Sequence, residues 1–263
     1  MKNKKNVFQK RKITYTIVFV SILALYLVSS IITEFKLSQG LKAFPEAAVW
    51  IASTLVPDAK AFERIPKILS KLMETALLSV AVTTVAGVMA FVFSLFGSRT
   101  LRIHRFMNQI VRTVAAFFRN VPDVVWAMLL MFSFGQNILT GFFALFFTTF
   151  GLLTRSFIET IDEVSSDCVE ALDATGADFA QIVFQGIIPS SITGIITWIL
   201  YMIETNIRSS TLIGILTATG IGYLFDMYYK RLEFGSASLV VICIVVLVII
   251  IETISNQLRK VIA

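Results

Sequence analysis

Apolar residues come in blocks along this chain, separated by short polar links. A helix rises about 1.5 Å per residue, so roughly 20 apolar residues cross the hydrocarbon of a bilayer. The first block of that length is 13–33 and the second is 74–97, where Thr75 to Ser98 carries no charge. The third, 109–134, is interrupted by Arg112, Arg119, Pro122 and Asp123. The fourth, fifth and sixth are 138–157, 190–212 and 235–255. The pattern predicts an all-α integral membrane protein with about six transmembrane helices. Segment 34–71, with Pro45, Pro57 and Pro66, reads as an external loop with short helices. Segment 158–189 reads as a polar loop, and 214–234 as too broken by glycine to span. For that last segment two readings stand: a re-entrant helix lining a cavity, its N–H groups turned toward an anion, or a tight external turn.

Composition agrees with the pattern. Of 263 residues, 56% are hydrophobic and 15% charged, against about 25% charged in soluble domains. Mean hydropathy is +0.81. The net charge of +6 does not point to nucleic acid, because the cations gather beside apolar blocks as topology signals do. The N-terminus 1–12, MKNKKNVFQKRK, holds six Lys or Arg. It reads as a basic cytoplasmic segment before an uncleaved first span. The Arg-rich link 98–112 and the end 258–263, with Arg259 and Lys260, fall on the same side. Cys168 and Cys243 have no framework or metal spacing and read as small buried residues; His104 reads as a solvated juxtamembrane residue.

Within the polar loop stands EALDATGADFAQIVFQGIIPSS, 170–191. Glu170 to Thr175 favours helix, and Gly176 permits a sharp turn. Ala177 to Gln185 suits a second short helix, and Pro189 suits the first turn of the fifth span. The expected result is a helix–turn–helix knuckle. Its spacing resembles the EAA loop of bacterial ABC importer permeases: Glu-Ala-Ala, three residues, Gly, nine residues, Ile, one residue, Leu-Pro. Glu170, Ala171, Gly176 and Pro189 match in register, whereas Leu172, Gly186 and Ile188 replace the third, Ile and Leu positions. With FFRNVPDVVWAMLLMFSFG (117–135) and IETNIRSSTLIGILTATGIG (203–222), the chain looks like a phosphonate-type permease over most of 65–257.

That resemblance implies a type I ABC importer permease fold in a bacterial inner membrane, with both termini cytoplasmic. It implies a homodimer of permeases, two ATP-binding subunits holding ATP and Mg, and an extracytoplasmic substrate-binding protein. No cofactor is expected on this chain, where no GxxxxGK[ST] occurs. Glu170, Ala171, Gly176, Ala177 and Pro189 are the expected ATPase-coupling residues. The cargo is a phosphonate or a related phosphorus oxyanion.

Charges inside spans face cavities, partners or pathways. Arg119 and Asp123, four apart, are expected to pair on one helical face. Arg119 reads either as part of an anion route or as half of a structural ion pair. Glu204, Asn206 and Arg208, placed near the outer half of the fifth span, read either as a satisfied network or as a substrate gate. Arg155 and Glu159 read as anchors. An intramembrane enzyme is disfavoured, since neither HExxH nor GxSxG occurs. A stand-alone channel or carrier is the remaining class, and it has no need of a projecting knuckle.

Overall fold

The computed structural model describes residues 2–54, 56–101, 105–164 and 166–262. Arg102 and His104 lie outside the described residues. The chain divides into two units, 1–54 and 55–263.

The first unit holds α1 (Lys2–Ile32) and α2 (Leu37–Thr54). No Pro or Gly precedes Gly40, so nothing separates the basic 1–12 segment from the expected span 13–33: one helix takes in both. Its membrane-length stretch is Phe8–Ile32, none of it buried. Where short surface pieces were expected, α2 runs for 18 residues through Pro45.

The second unit is the bundle: α3 (Ala59–Phe62), α4 (Ile65–Gly97), α5 (Arg105–Asn120), α6 (Asp123–Phe134), α7 (Ile138–Val164), α8 (Ser166–Ala174), α9 (Phe179–Gln181), a π-helical turn (Ile182–Ile187), α10 (Ile188–Thr217), α11 (Gly220–Lys230) and α12 (Phe234–Ile262). Among the described residues five helices are long and apolar enough to cross a bilayer. The pair α5–α6 makes a sixth candidate, bent by 88°.

Several boundaries differ from expectation. Helix α4 begins at Ile65 because Pro66 sits in its first turn, where a missing N–H costs nothing. Helix α7 runs on to Val164 and α12 to Ile262, so both outrun the apolar blocks that marked them. Pro189 sits in the first turn of α10, as expected, but α9 and the π turn lead straight into that turn, so the membrane-length stretch begins earlier, at Phe179.

Lipid is as apolar as leucine, so these helices associate by close contact and polar links. Helix α4 turns a stripe of small residues inward: Thr75, Ser79, Thr83, Ala86, Ala90, Ser94 and Gly97 are all buried. A Cβ at Gly151 would lie 2.6 Å from the Arg119 backbone nitrogen, so α5 and α7 meet backbone to backbone. The central core joins Val82, Leu145, Phe150, Leu153 and Met202; a second cluster gathers Ile68, Ile221, Leu224 and Val240. The third, Ile161, Val169, Ile182, Val183 and Ile187, seats the knuckle.

Candidate functional site: the knuckle and the charges in the bundle

The knuckle is built from two back-to-back caps. Helix α8 ends with the Ala177 N–H donating to the Leu172 carbonyl at 3.2 Å and the Gly176 N–H to the Asp173 carbonyl at 3.0 Å. This is a Schellman ending, which needs a left-handed residue at the position of Gly176. Its φ is +79°. Ala177 and Leu172 belong to one apolar cluster, the contact that accompanies such an ending. One residue later Asp178 opens α9 with a capping box: the Gln181 N–H donates to its Oδ1 at 2.7 Å, and the Asp178 N–H to Gln181 Oε1 at 2.9 Å. Glu170, Ala171, Gly176 and Pro189 are exposed and Ala177 is half-buried.

Two of the three departures from the EAA spacing, Leu172 and Gly186, meet in space. A Cβ at Gly186 would lie 2.9 Å from Leu172 Cδ1. The motif has a small residue at 172 and a large one at 186; this chain has the reverse. Leu172 occupies volume that an isoleucine at 186 would need, so the changes compensate.

Beside the knuckle opens a cavity of about 730 Å³, lined by Arg99, Asp162, Glu170, Asp173, Phe179 and Ile182 among others. Asp162 was one of seven acids in the loop and carried no sequence signal. It is the main joint of this end. Its Oδ1 accepts from Ser98 Oγ at 2.6 Å, the Arg99 N–H at 2.8 Å and Thr100 Oγ1 at 3.2 Å. Its Oδ2 accepts from Arg112 Nη2 at 2.7 Å. One carboxylate thus ties α7, one residue-run before α8, to the end of α4 and to α5.

The charges inside the bundle sort differently from expectation. Arg119 and Asp123 do not pair, because the chain breaks between them and turns by 88°, which removes the shared helical face. Asp123 instead accepts its neighbour's N–H, Val124, at 2.9 Å. Arg119 is exposed and has no carboxylate partner among the described residues. The break is held by aromatic packing, Phe118 against Phe147 at 5.0 Å and Trp126 against Phe147 at 4.8 Å.

Asn206 is 2% exposed. Its Nδ2 donates to Thr83 Oγ1 and Thr149 Oγ1, both at 2.9 Å. Those threonines lie near the middle of α4 and α7, so this level is the centre of the bundle rather than its outer half. Glu204 pairs with Arg208 at 3.1 Å and lies 4.0 Å from Arg259. Arg208 is half exposed and Glu204 nearly buried. Arg155 pairs with Glu159 at 2.7 Å.

The GIG segment forms a helix packed on α10. A Cβ at Gly222 would fall 1.9 Å from the Thr211 carbonyl oxygen. Its N-terminal N–H groups are occupied within the chain: Gly220 donates to Glu74 Oε1 at 3.2 Å and Ile221 to Thr75 Oγ1 at 2.9 Å. The anion position that one of the two readings put at this terminus is therefore filled by a carboxylate of α4.

Residues 84–263 match the family described as binding-protein-dependent transport system inner membrane component. The chain belongs to this family. The permease is 28% identical over 251 residues to the "Putative phosphite transport system permease protein HtxC" of Stutzerimonas stutzeri, covering 95% of this chain and 87% of the relative. It is 31% identical over 117 residues to the "Putative cryptic phosphonate transport system permease protein PhnE2" of Escherichia coli (strain K12), covering 44% of this chain and 96% of the relative. Its fold is similar to that of a chain of the MetNI methionine ABC transporter in an inward-facing conformation. That match has TM-score 0.67 and 16% identity, and covers 78% of this chain and 99% of the other. This is the type I importer permease fold, and the permease is the membrane component of a transport system of that family.

Proposed function

We propose that the permease carries a phosphorus oxyanion, phosphite or a phosphonate, from an extracytoplasmic binding protein into the bacterial cytoplasm. Two separate ATP-binding subunits close against the α8–α9 knuckles of a permease homodimer, with ATP and Mg held by those subunits. Both termini and the knuckle lie in the cytoplasm. Glu170, Ala171, Gly176, Ala177 and Pro189 shape the coupling surface. The Asp162 joint carries displacement of the knuckle into α4 and α5, and α5 leads to the break that bears Arg119.

The observation that carries the cargo reading is Arg119. An exposed guanidinium at a break inside the bundle, without a carboxylate partner among the described residues, suits transient binding of an oxyanion by a planar fork of donors. The relatives named for phosphite and phosphonate transport support the same class. Asn206 holds helices together, while Arg208, half exposed and paired with Glu204, lines the route at the same level.

The test is ATPase stimulation of the reconstituted complex by binding protein loaded with phosphite, a phosphonate, phosphate or an amino acid. Stimulation by a phosphorus oxyanion is expected; stimulation by the amino acid alone overturns the cargo. Arg119→Ala lowers uptake by about tenfold or more, equivalent to roughly 1.4 kcal/mol, with insertion intact, and Arg119→Lys recovers part of it. Labelling of Cys168 by an impermeant thiol reagent only in inside-out vesicles is the expected result for the orientation. A complex that contains this chain once, beside a different permease, replaces the homodimer.

A further inference from the structure

Helix α2 plays no part in the transport reading, yet its sequence is strongly patterned. In LSQGLKAFPEAAVWIAST, Leu37, Leu41, Phe44, Ala48 and Ile51 follow one another at four, three, four and three residues. That spacing puts them on one stripe of a helix. Ser38, Gln39, Lys42, Glu46 and Ser53 cluster on the other side. None of its described residues is buried. Leu41 is 68% exposed and Phe44 74%.

What covers the stripe follows from where the helix starts. Over Phe8–Ile32 helix α1 is long and apolar enough to cross the bilayer. At Phe35 the chain has not yet left it: the Phe35 N–H donates to the Ser30 carbonyl at 3.0 Å, and Ser30 Oγ donates back to the Phe35 carbonyl at 2.6 Å. Two residues later α2 begins. It therefore starts at the membrane surface, continuous with the lipid contact of α1. It does not re-enter as a span, because Lys42, Pro45 and Glu46 stand in its middle and it is not among the helices apolar enough to cross. We propose that α2 lies in the headgroup plane on the face where α1 emerges, with the Leu37–Leu41–Phe44–Ala48–Ile51 stripe in lipid and the Lys42–Glu46 face in water. One lysine and one glutamate leave the helix neutral, so apolar insertion holds it and anionic lipid adds nothing.

The test uses the full chain in nanodiscs of zwitterionic lipid, with nitroxide labels at single added cysteines. The signal of protein labelled without an added cysteine is subtracted. Collision with oxygen, which partitions into lipid, is compared with collision with a water-soluble nickel chelate. The oxygen-to-nickel ratio is expected to be several-fold higher at Leu41→Cys, Phe44→Cys and Ala48→Cys than at Gln39→Cys, Lys42→Cys and Glu46→Cys. High salt and added anionic lipid leave the pattern unchanged. Equal access of nickel to all six positions overturns the proposal in favour of a helix free in water. Shielding of Leu41 and Phe44 from both reagents overturns it in favour of a protein partner, a second copy or the binding protein. Neither result depends on the cargo.

Discussion

The two ends of the bundle each carry an arginine–carboxylate clasp, and the two are built to different standards. At the knuckle end Asp162 accepts from Ser98, Arg99, Thr100 and Arg112, so one side chain joins three elements. At the opposite end Arg64 bonds Glu233 and lies over the Tyr228 ring at 4.7 Å, tying the start of α4 to the link between α11 and α12. The first clasp gathers backbone and side-chain donors from a turn and a helix on one carboxylate; the second, exposed to a similar degree, is a single pair of a kind that adds little. On the proposed coupling, a permease worked from the knuckle end needs stiffness there, so that displacement of a short helix moves whole spans rather than bending the joint. The opposite end needs only to hold its helices while solute passes.

The largest effect expected from this asymmetry is at Asp162. Asp162→Ala removes the shared acceptor of Ser98, Arg99, Thr100 and Arg112 and is expected to destabilise the permease by about 1–3 kcal/mol, read as a clear fall in Tm in detergent. Glu233→Ala at the other clasp shifts Tm little. Asp162→Asn separates the parts, since it keeps an oxygen for the Ser98–Thr100 turn but faces an amide to Arg112. It should fall between wild type and Asp162→Ala. Equal shifts for the alanine variants at the two ends would remove the asymmetry.

Next in size is the exchange of volume between Leu172 and Gly186. Gly186→Ile alone crowds Leu172 and costs about 1–3 kcal/mol; Leu172→Ala alone opens a gap. Together they restore the small-then-large order of the EAA loop. A favourable coupling of about 1–2 kcal/mol is expected from the double-mutant cycle on Tm. Strict additivity would show that the two side chains do not share that space.

These contrasts also explain what could be read along the chain and what could not. The knuckle was legible because its determinants are local: Leu172, Gly176, Ala177, Asp178 and Gln181 choose their partners within five residues of themselves. The spans were legible from apolar length. Arg119 was misassigned to Asp123, since an i,i+4 rule holds only if the helix continues, and the break between them turns on packing against Phe147. Asp162 and Glu74 were invisible for the same reason. A carboxylate that caps a turn or a helix on another element has a partner distant in sequence, and nothing near it marks that role. Asn206 looked like a pathway residue because a polar group inside a span has only a few possible fates, and its threonine partners lie on two other helices.

A smaller effect tests the turn itself. A Cβ at Gly176 would meet nothing within 4 Å, so substitution there costs backbone strain and no clash inside the chain. At φ +79° a β-branched residue is strained, by about 1–2 kcal/mol, whereas asparagine tolerates the left-handed region. Gly176→Val is expected to lower Tm modestly and Gly176→Asn hardly at all. If both variants also lose transport per ATP hydrolysed, the open space around Gly176 is needed by the ATPase subunit; if only the valine variant does, the turn geometry is the requirement.

The smallest effect is the pH response of the Arg64–Glu233 clasp, and its sign follows from the directions of the shifts. The hydrogen bond from Arg64 holds the Glu233 carboxyl below its ordinary value of 4.5, and the same bond raises Arg64 above its ordinary value. A lowered carboxyl gives its stabilisation in full above its unfolded value and loses it as pH falls through the lowered one. A raised arginine gives its share at every pH below its ordinary value, so it does not titrate in any working range. The Tm difference between wild type and Glu233→Gln is therefore expected to stay constant from about pH 5 to about pH 9 and to vanish only in stronger acid. A difference that changed between about pH 6 and about pH 8 would mean that another titrating group faces this clasp. That end would then be responsive to its surroundings, and the contrast with the knuckle end would be one of control as well as of stiffness.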